Sequence, residues 1–283
     1  MTTKANLAAS IHQRLLNIAR REDRTLNELL QYFAIERFLY RLSRTEYSRT
    51  FVLKGAQMMK IWDVPAGRPT MDIDLLGQTG NDIDNLQKII RECCSVDVDD
   101  GVIFDPETVS AEIIQKAGEY QGVRVMANGL LGKIRLRLQI DVGFGDAIVP
   151  GPIEIEFPQL LDLGRPVLLG YTPESAIAEK FHAMVVLDMV NTRMKDFYDI
   201  WLLLTTLDLD KAVLSEAIRR TFERRDTPLP DEMPVALTDA FTDDSTKKLQ
   251  WRAFLRKNRL DAELELATVA NIIRENLMPL IGK

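Results

Sequence analysis

The sequence predicts an α+β fold in which a mixed sheet flanked by helices is followed by an all-helical C-terminal lobe. The clearest strand spans residues 133–143, where apolar side chains alternate with polar or charged ones along the whole segment. From about residue 172 to the end, the apolar residues instead recur at helical spacing. This change of period predicts two lobes, residues 1–171 and residues 172–283.

Composition sets limits on the function. The chain has 283 residues and is 46% hydrophobic, which is enough for a large core. Its formal net charge of −6 excludes an overall basic surface, so contact with nucleic acid requires a local basic patch. Charged residues interrupt the N-terminal apolar pattern, and we expect a cytoplasmic protein that makes no membrane contact. Cys93 and Cys94 are adjacent without a second pair, which favours core residues over a zinc site.

Two amphipathic helices are predicted at the N-terminus, over residues 11–18 and 26–42, as a lid over the later segments of the chain. Four arginines lie along or just beyond the polar side of the second helix, which makes them either a phosphate-facing strip or a solvated face. We favour the solvated face, because charge on the outer side of an amphipathic helix needs no special cause. The four residues are Arg37, Arg41, Arg44 and Arg49.

A pair of acids two residues apart interrupts the apolar run that ends at Gly77. In a strand, Asp72 and Asp74 would point to the same face, where their like charges repel unless a cation lies between them. Mg²⁺, which carboxylates and substrate phosphates hold together, is the obvious candidate. The alternative is an edge strand with two solvated acids.

A glycine turn precedes this pair. Lys54 and Gly55 follow the apolar run 51–53, so a strand is predicted to end in a turn whose backbone N–H groups and lysine would meet phosphate oxygens. An ordinary tight turn is the alternative.

Three further strands are predicted in the same lobe. They span residues 108–115, 122–127 and 133–143, with a turn at 129–132 before the last. Asp141 lies at the end of the last strand, beside Gly143, where it is either a third metal ligand or part of an exposed face of alternating charge. Asp146 is the alternative ligand if the register differs.

The helical lobe begins with capping signals at Thr172 and Pro173. Its first helix carries Lys180 and its second begins near Asp196 and Asp199; taken alone, these are ordinary surface and helix-terminal charges. His182 is interpreted as a partly buried helix residue, and no second histidine lies near it in sequence. A histidine-centred hydrolase or zinc protein is therefore disfavoured.

The remaining helices are predicted over residues 210–224, 233–240, 245–257 and 262–278. Two basic clusters accompany them, at residues 219–225 and 247–259, the second interleaved with Trp251 and Phe254. Such a cluster either holds RNA or forms a solvated face with aromatics in the core, and we favour the solvated face.

Several of these segments together resemble a known family. Lys54-Gly55 followed by the run from Arg68 to Asp74, RPTMDID, resembles the signature of the AbiEii/AbiGii-type nucleotidyltransferases. These are bacterial toxins within the DNA polymerase β-like nucleotidyltransferase superfamily. Segments 178–182 and 193–200 resemble the later motifs, and the likeness covers about residues 1–205 in the order of elements. One departure is Ala56, where the family usually has serine.

The resemblance implies a nucleotidyltransferase-like N-terminal lobe, with the active site in the cleft beside the helical lobe. It implies metal-dependent transfer of a nucleoside monophosphate from an NTP to a hydroxyl of RNA, tRNA being one candidate, or of protein. It also implies the toxin of a toxin–antitoxin or phage-defence system, with a cognate antitoxin as partner. The alternative is an NTP-binding or partner-binding protein on a degenerate transferase fold, towards which Ala56 leans.

The resemblance also assigns roles to single residues. Asp72, Asp74 and Asp141 are expected to hold Mg²⁺ or Mn²⁺, and Asp141 to favour deprotonation of the acceptor. Lys180 and Asp196 are expected to act in catalysis, with Asp199 a weaker candidate. The residues expected to meet the nucleotide phosphates are Lys54, Gly55, Ala56, Arg68, Thr70 and Lys180.

Overall fold

A computed structural model describes residues 4–64, 70–115 and 121–281, and ten helices and seven strands lie within those ranges. The helices are α1 (Lys4–Arg21), α2 (Leu26–Ser43), α3 (Met58–Ile61), α4 (Ile83–Ser95), α5 (Pro173–Leu187), α6 (Met194–Thr206), α7 (Lys211–Arg224), α8 (Asp239–Thr242), α9 (Ser245–Asn258) and α10 (Leu266–Ile281). The strands are β1 (Phe51–Lys54), β2 (Ile73–Gly77), β3 (Val102–Gln115), β4 (Gln121–Leu131), β5 (Ile134–Phe144), β6 (Ile153–Glu156) and β7 (Val167–Gly170).

All seven strands form one sheet in the order β3-β4-β5-β2-β1-β7-β6. The pairs β2–β5 and β1–β7 are parallel and the other four are antiparallel, so the sheet is mixed. After β7 the described chain contains helices and turns but no strand. The predicted α+β class is confirmed.

The hairpins formed by β3, β4 and β5 are longer than the sequence pattern predicted. Strands β3 and β4 extend beyond the predicted bounds, and β4 joins β5 through a two-residue turn at Gly132 and Lys133. Gly132 has φ +61°, which glycine adopts without steric penalty at the first position of such a turn. The predicted turn at 129–132 was therefore wrong by some residues. Gly129 lies inside β4, where an added Cβ would come within 2.7 Å of the Phe104 ring.

Buried apolar side chains form two clusters. The first joins the sheet to α1, α2 and α4, and the second lies mainly among the helices after residue 176. Met59 and Val64, which come from the first half of the chain, belong to the second cluster. The predicted division at residue 171 stays a prediction.

The two cysteines are core residues, as expected. Cys93 and Cys94 are both buried on α4, and burial raises the pKa of each thiol to about 12. A thiol in this state is a poor nucleophile and a poor metal ligand.

The expectation of a solvated arginine face on α2 was wrong for two of the four residues. Arg37 and Arg41 are fully buried, whereas Arg44 and Arg49 are exposed. Arg37 pairs with Glu36 and donates to the backbone oxygens of Leu163 and Gly164 at 2.7 and 2.6 Å. These partners come from distant segments, and they compensate the loss of hydration that burial imposes on a guanidinium.

Arg41 is bound still more completely. Its guanidinium donates to both carboxylate oxygens of Asp100, at 2.7 and 3.0 Å, and to the backbone oxygen of Val102 at 2.8 Å. Asp100 is also buried. The pair fixes α2 against the start of β3.

The predicted helix over residues 233–240 was also wrong. A 3₁₀ turn spans Val235–Leu237, and α8 begins separately at Asp239. Thr238 between them has an extended backbone, with φ −102° and ψ 162°, which no continuous helix contains. Across the described ranges, none of the helices combines the length and the apolar character needed to cross a bilayer.

We expect Arg41→Ala to lower the free energy of unfolding by about 3–5 kcal/mol, because Asp100 would remain buried without its partner. Chemical denaturation with a fluorescence readout measures the change. Arg44→Ala, an exposed position one turn along, is the matched control and should change stability by less than about 0.5 kcal/mol. Equal losses in the two variants would contradict the assignment.

Candidate active site

A row of charged residues crosses five adjacent strands of the sheet. The strand register pairs Glu112 with Arg124, Arg124 with Asp141, Asp141 with Asp74, and Asp74 with Lys54. Residues paired directly across neighbouring strands point to the same face. The row therefore alternates in charge except at one place, where Asp141 and Asp74 are neighbours.

The two neighbouring acids are held differently. Asp141 is almost fully buried and accepts two hydrogen bonds from the Arg124 guanidinium, from Nε to Oδ1 and from Nη2 to Oδ2, each at 2.8 Å. These bonds, together with the charges of Asp141, Asp72 and Glu112, raise the pKa of Arg124. Asp74 is half-buried at the junction with the turn after β1. Two like charges in adjacent register positions repel and favour a cation near them.

The glycine turn lies against Asp74. Gly55 has φ +71°, and a Cβ built on it would lie 2.3 Å from Oδ2 of Asp74. Glycine is therefore needed here both for the backbone conformation and for the approach of the carboxylate. Ala56 follows, buried, in a 3₁₀ turn.

The other predicted residues of this region are less closely placed. Asp72 is half-buried just before β2, and its charge acts on Arg124. Thr70 is half-buried, and it lines neither of two polar cavities that have Asp74 in their walls. Arg68 lies outside the described residues.

A buried charge cluster, consisting of Lys54, Asp146, Glu179 and Arg225, closes one end of the row. Lys54 Nζ lies 2.6 Å from Asp146 and 2.7 Å from Glu179. Arg225 lies 2.8 Å from Asp146 and 3.8 Å from Glu179. The Tyr171 hydroxyl donates to Glu179 at 2.7 Å. The cluster thus joins the end of β1, the segment after β5, the helix α5 and the end of α7.

Protonation in this cluster follows from burial and pairing. Burial raises the pKa of the Glu179 carboxyl to about 7, although Lys54 opposes the shift. Burial acts the same way on Asp146, but Lys54 and Arg225 together hold its pKa below the usual range. Burial alone would lower the pKa of Lys54, and the charges of Glu179 and Asp146 raise it well above its usual value.

The Lys54 ammonium, expected to meet phosphates, pairs with the carboxylates of Asp146 and Glu179. Its contact with phosphates stays a prediction. Asp146, the alternative metal ligand, belongs to this cluster and not to the Asp74–Asp141 pair. His182 is more deeply buried than expected: its ring lies beside Arg225, Thr227 and Phe222, consistent with a helix-packing residue.

Lys180, the residue after Glu179 on α5, points towards α6. Its Nζ lies 2.9 Å from Asp199 and 3.3 Å from Asp196. Asp196 also pairs with Arg193 and is fully buried. Burial would raise the pKa of Asp196, but Lys180 and Arg193 lower it, so this carboxylate orients the two cations. Lys180 and Asp196 are therefore brought together as predicted, and Asp199 with them.

Two polar cavities meet at Asp74 and Lys54. The sheet cavity lies over β2 and β5 and is lined by Asp141, Gly143 and Asp146 among others. The helix cavity lies between the glycine turn and the helices α5 and α6. Asp74 and Lys54 line both cavities, and the two cavities together are called the cleft.

Three cations line the helix cavity in addition to Lys54. They are Lys180 from α5, Arg193 just before α6, and Lys195, which is exposed. Arg193 and Lys195 also line a third depression, the outer groove, between α6 and α9. Phe254 and Lys257 from α9 form part of its wall.

The acids suit a hard divalent cation in their chemistry. Carboxylate oxygens are the ligands that Mg²⁺ and Mn²⁺ take, and Asp74 and Asp141 place two carboxylates in adjacent register positions. Within the described ranges, no three His, Cys, Asp or Glu residues are gathered as a complete metal-binding group. Both oxygens of Asp141 accept from Arg124, so the arginine competes with a bound ion for this carboxylate.

Sequence reasoning missed several residues of the cleft. Arg124 would have been found from the hairpin register, because a turn at Gly132 and Lys133 sets it opposite Asp141. Arg193 and Lys195 precede Asp196 in the segment that resembles the family, but no motif assigned them a role. Glu179 and Arg225 lie in segments that the sequence singled out, 178–182 and 219–225, but their partners are distant in the chain and no local pattern predicted the pairs.

We expect Gly55→Ala to lower the free energy of unfolding by about 1–3 kcal/mol, because alanine is strained at this φ and its methyl group would push on the Asp74 carboxylate. Thermal and urea denaturation measure the loss. Gly80→Ala is the control, since a Cβ at Gly80 meets nothing within 4 Å. A loss at Gly55 no larger than at Gly80 would be inconsistent with the described turn.

Comparisons with known proteins give one family match and two likenesses in structure. Two solved structures resemble this one: JHP933 from Helicobacter pylori (13% identity, TM-score 0.48, covering 86% of this chain and 87% of that one) and an H. pylori "putative nucleotidyltransferase" (16%, 0.46, 86% and 93%). No curated protein matches the chain. The model of the family described as "Nucleotidyl transferase AbiEii toxin, Type IV TA system" matches residues 37–272. The chain therefore belongs to the AbiEii family of nucleotidyltransferase toxins of type IV toxin–antitoxin systems, and it is a nucleotidyltransferase.

Proposed function

We propose that the protein transfers a nucleoside monophosphate from an NTP to a hydroxyl group of RNA, in a reaction that depends on Mg²⁺ or Mn²⁺. The observation that carries this proposal is the adjacency of Asp74 and Asp141 in a cleft whose other wall bears Lys180, Arg193 and Lys195. The acidic side of the cleft suits a divalent cation, and the basic side suits the phosphates of an NTP.

The cations of the helix cavity are assigned to the phosphates of the donor. Lys180 is oriented by two carboxylates that leave it at the cavity wall, and Arg193 shares one of them. Lys195 adds a positive charge at the exposed rim. Lys54 is engaged by Asp146 and Glu179, so its contribution is to fix α5, and with it Lys180, against the sheet.

The acids of the sheet are assigned to the metal and to the proton. Asp72, Asp74 and Asp141 would hold the ion, which polarises the α-phosphate and stabilises charge on the departing oxygen when bound. The acceptor oxygen bonds to the α-phosphorus, the bond to the bridging oxygen breaks and pyrophosphate leaves. Asp141 takes the hydroxyl proton. Asp196 is fully buried, which favours orientation of Lys180 over proton transfer.

The acceptor is assigned to the outer groove. This groove shares Arg193 and Lys195 with the helix cavity, so a strand lying in it would present its end to the donor phosphates. Lys257 supplies a further exposed cation, and Phe254, which is half-buried against Trp251, offers an aromatic edge. The net charge of the chain is −6, so this basic surface is a local feature.

The physiological setting follows from the family. Its members are described as toxins of type IV toxin–antitoxin systems, which supports a cognate antitoxin as a partner of this protein. An RNA needed for translation, such as tRNA, is the acceptor that would make the transfer toxic.

A label-transfer assay tests the proposal. Protein, total RNA and each of four α-³²P-labelled NTPs are incubated with Mg²⁺ or Mn²⁺. We expect label on RNA from one NTP, and a loss of about 100-fold or more with EDTA or in Asp74→Asn, because a metal ligand is removed. Asp231→Asn, an exposed acid in the α7–α8 segment, is the matched control and should transfer normally.

Other outcomes of this assay separate the alternatives. Label on protein in place of RNA would change the acceptor but keep the donor site. Metal-dependent NTP binding without any transfer would favour a nucleotide-binding protein on a degenerate fold.

The outer groove gives a separate prediction. We expect Lys257→Gln to raise the KM for RNA severalfold, to leave kcat nearly constant and to reduce the salt dependence of RNA binding by about one phosphate contact. Steady-state kinetics at several salt concentrations measure these changes. The control Lys248→Gln lies on the same helix but pairs with Asp243 outside the groove. A higher KM for the NTP instead would assign the groove to the donor.

A further inference from the structure

Arg124 occupies the position in the charged row next to the two acids. It binds Asp141 through two parallel hydrogen bonds of 2.8 Å, the geometry in which a guanidinium fits a carboxylate. The Asp141 side chain is 6% exposed and that of Arg124 is 30% exposed. The acid is thus the fixed member of the pair and the arginine the accessible one.

Arg124 and a divalent cation need the same oxygens. A carboxylate that accepts both bonds of a guanidinium fork has its two oxygens directed at the arginine, and a bound ion would repel the guanidinium at this distance. Without either partner, Asp141 would be a buried charge beside the like charge of Asp74. A cation at Asp141 is therefore favoured, and Arg124 and a divalent ion compete for that place.

The surroundings provide a place for Arg124 once it leaves Asp141. Glu112 is its direct partner on β3 and is exposed. The amide of Gln139, turned with its oxygen towards the arginine, already accepts from Nε at 3.3 Å and from Nη2 at 3.1 Å while Arg124 is bound to Asp141. The exposed Glu112 carboxylate therefore offers the guanidinium an acceptor on the same face of the sheet when it leaves Asp141, and Gln139 lies beside it.

We propose that Arg124 is a positioning residue of Asp141 that a divalent cation displaces. In the metal-free protein it neutralises Asp141 and keeps the carboxylate aligned with Asp74. On metal binding it moves to Glu112, beside Gln139, and Asp141 becomes a ligand. This inference rests on the proposed metal site. Its consequence is that the measured affinity for the ion is weakened by the free energy needed to break the Arg124–Asp141 pair.

Metal binding measured without nucleotide or RNA tests this inference. Mn²⁺ is titrated into the full-length protein and free ion is followed by electron paramagnetic resonance. We expect Arg124→Gln to bind Mn²⁺ about three- to tenfold more tightly than the wild type, because the competing cation is gone. Arg135→Gln removes the same charge from an exposed position of β5 and should leave the affinity unchanged.

A second variant and a measurement of thermal unfolding distinguish a change in metal affinity from a loss of folding. Arg124→Lys retains the charge but loses the fork, and we expect an affinity between those of the wild type and Arg124→Gln. In EDTA, Arg124→Gln should melt below the wild type, and saturating Mn²⁺ should raise its Tm by more than it raises that of the wild type.

The opposite results would overturn the inference. Equal or weaker Mn²⁺ binding by folded Arg124→Gln would mean that Arg124 supports Asp141 in the metal-bound state as well, and absence of binding in every variant would remove the site. Failure of the proposed function has a different signature: Asp74→Asn would bind Mn²⁺ like the wild type, or label transfer would persist in EDTA.

Discussion

Two carboxylates held side by side on neighbouring strands are the constraint on which the rest of the cleft depends. Asp74 and Asp141 share one register position of the parallel pair β2–β5. The backbone hydrogen bonds of the sheet fix the distance between the two backbones, so only side-chain rotation can move the carboxylates apart. Their flanking positions are basic on both sides, with Arg124 on β4 and Lys54 on β1.

The two cations on either side of this acid pair are directed to different partners. Arg124 turns towards the acid pair, whereas Lys54 turns away to Asp146 and Glu179. At one end of the row the cation binds the acid pair and its side chain is 30% exposed; at the other end the cation binds carboxyl groups outside the row and its side chain is 16% exposed. The difference in partners gives residues of the same charge in the same row different roles.

The sequence contained enough to predict the acids but not their surroundings. The spacing of Asp72 and Asp74 and the alternation in 133–143 follow from the two-residue period of a strand, which is a local property. The partner of Asp141 depends on the register of the hairpin between β4 and β5. The turn was predicted at 129–132, which gave a different register and concealed Arg124 as the partner. Gly129 resembles a turn residue, but it lies inside β4 and leaves space for the Phe104 ring. Lys54 finds partners 92 and 125 residues away, and no local pattern encodes such pairs.

The same reason explains the buried arginines of α2. An amphipathic pattern identifies the charged side of a helix but not whether another segment covers that side. Here the segment around residues 163–164 and Asp100 cover it, and they supply the acceptors that make burial of Arg37 and Arg41 tolerable.

The buried charge cluster has a consequence for how this protein can change over evolution. Lys54 and Arg225 contribute two cations and Asp146 and Glu179 two carboxyl groups, from four separate parts of the chain. A substitution at one member disturbs the pairing of the other three in a largely buried place, which favours a compensating change at a second member. Among homologues, these four positions should therefore covary, although they lie far apart in sequence, and their pattern of replacement would record the contact between sheet and helices.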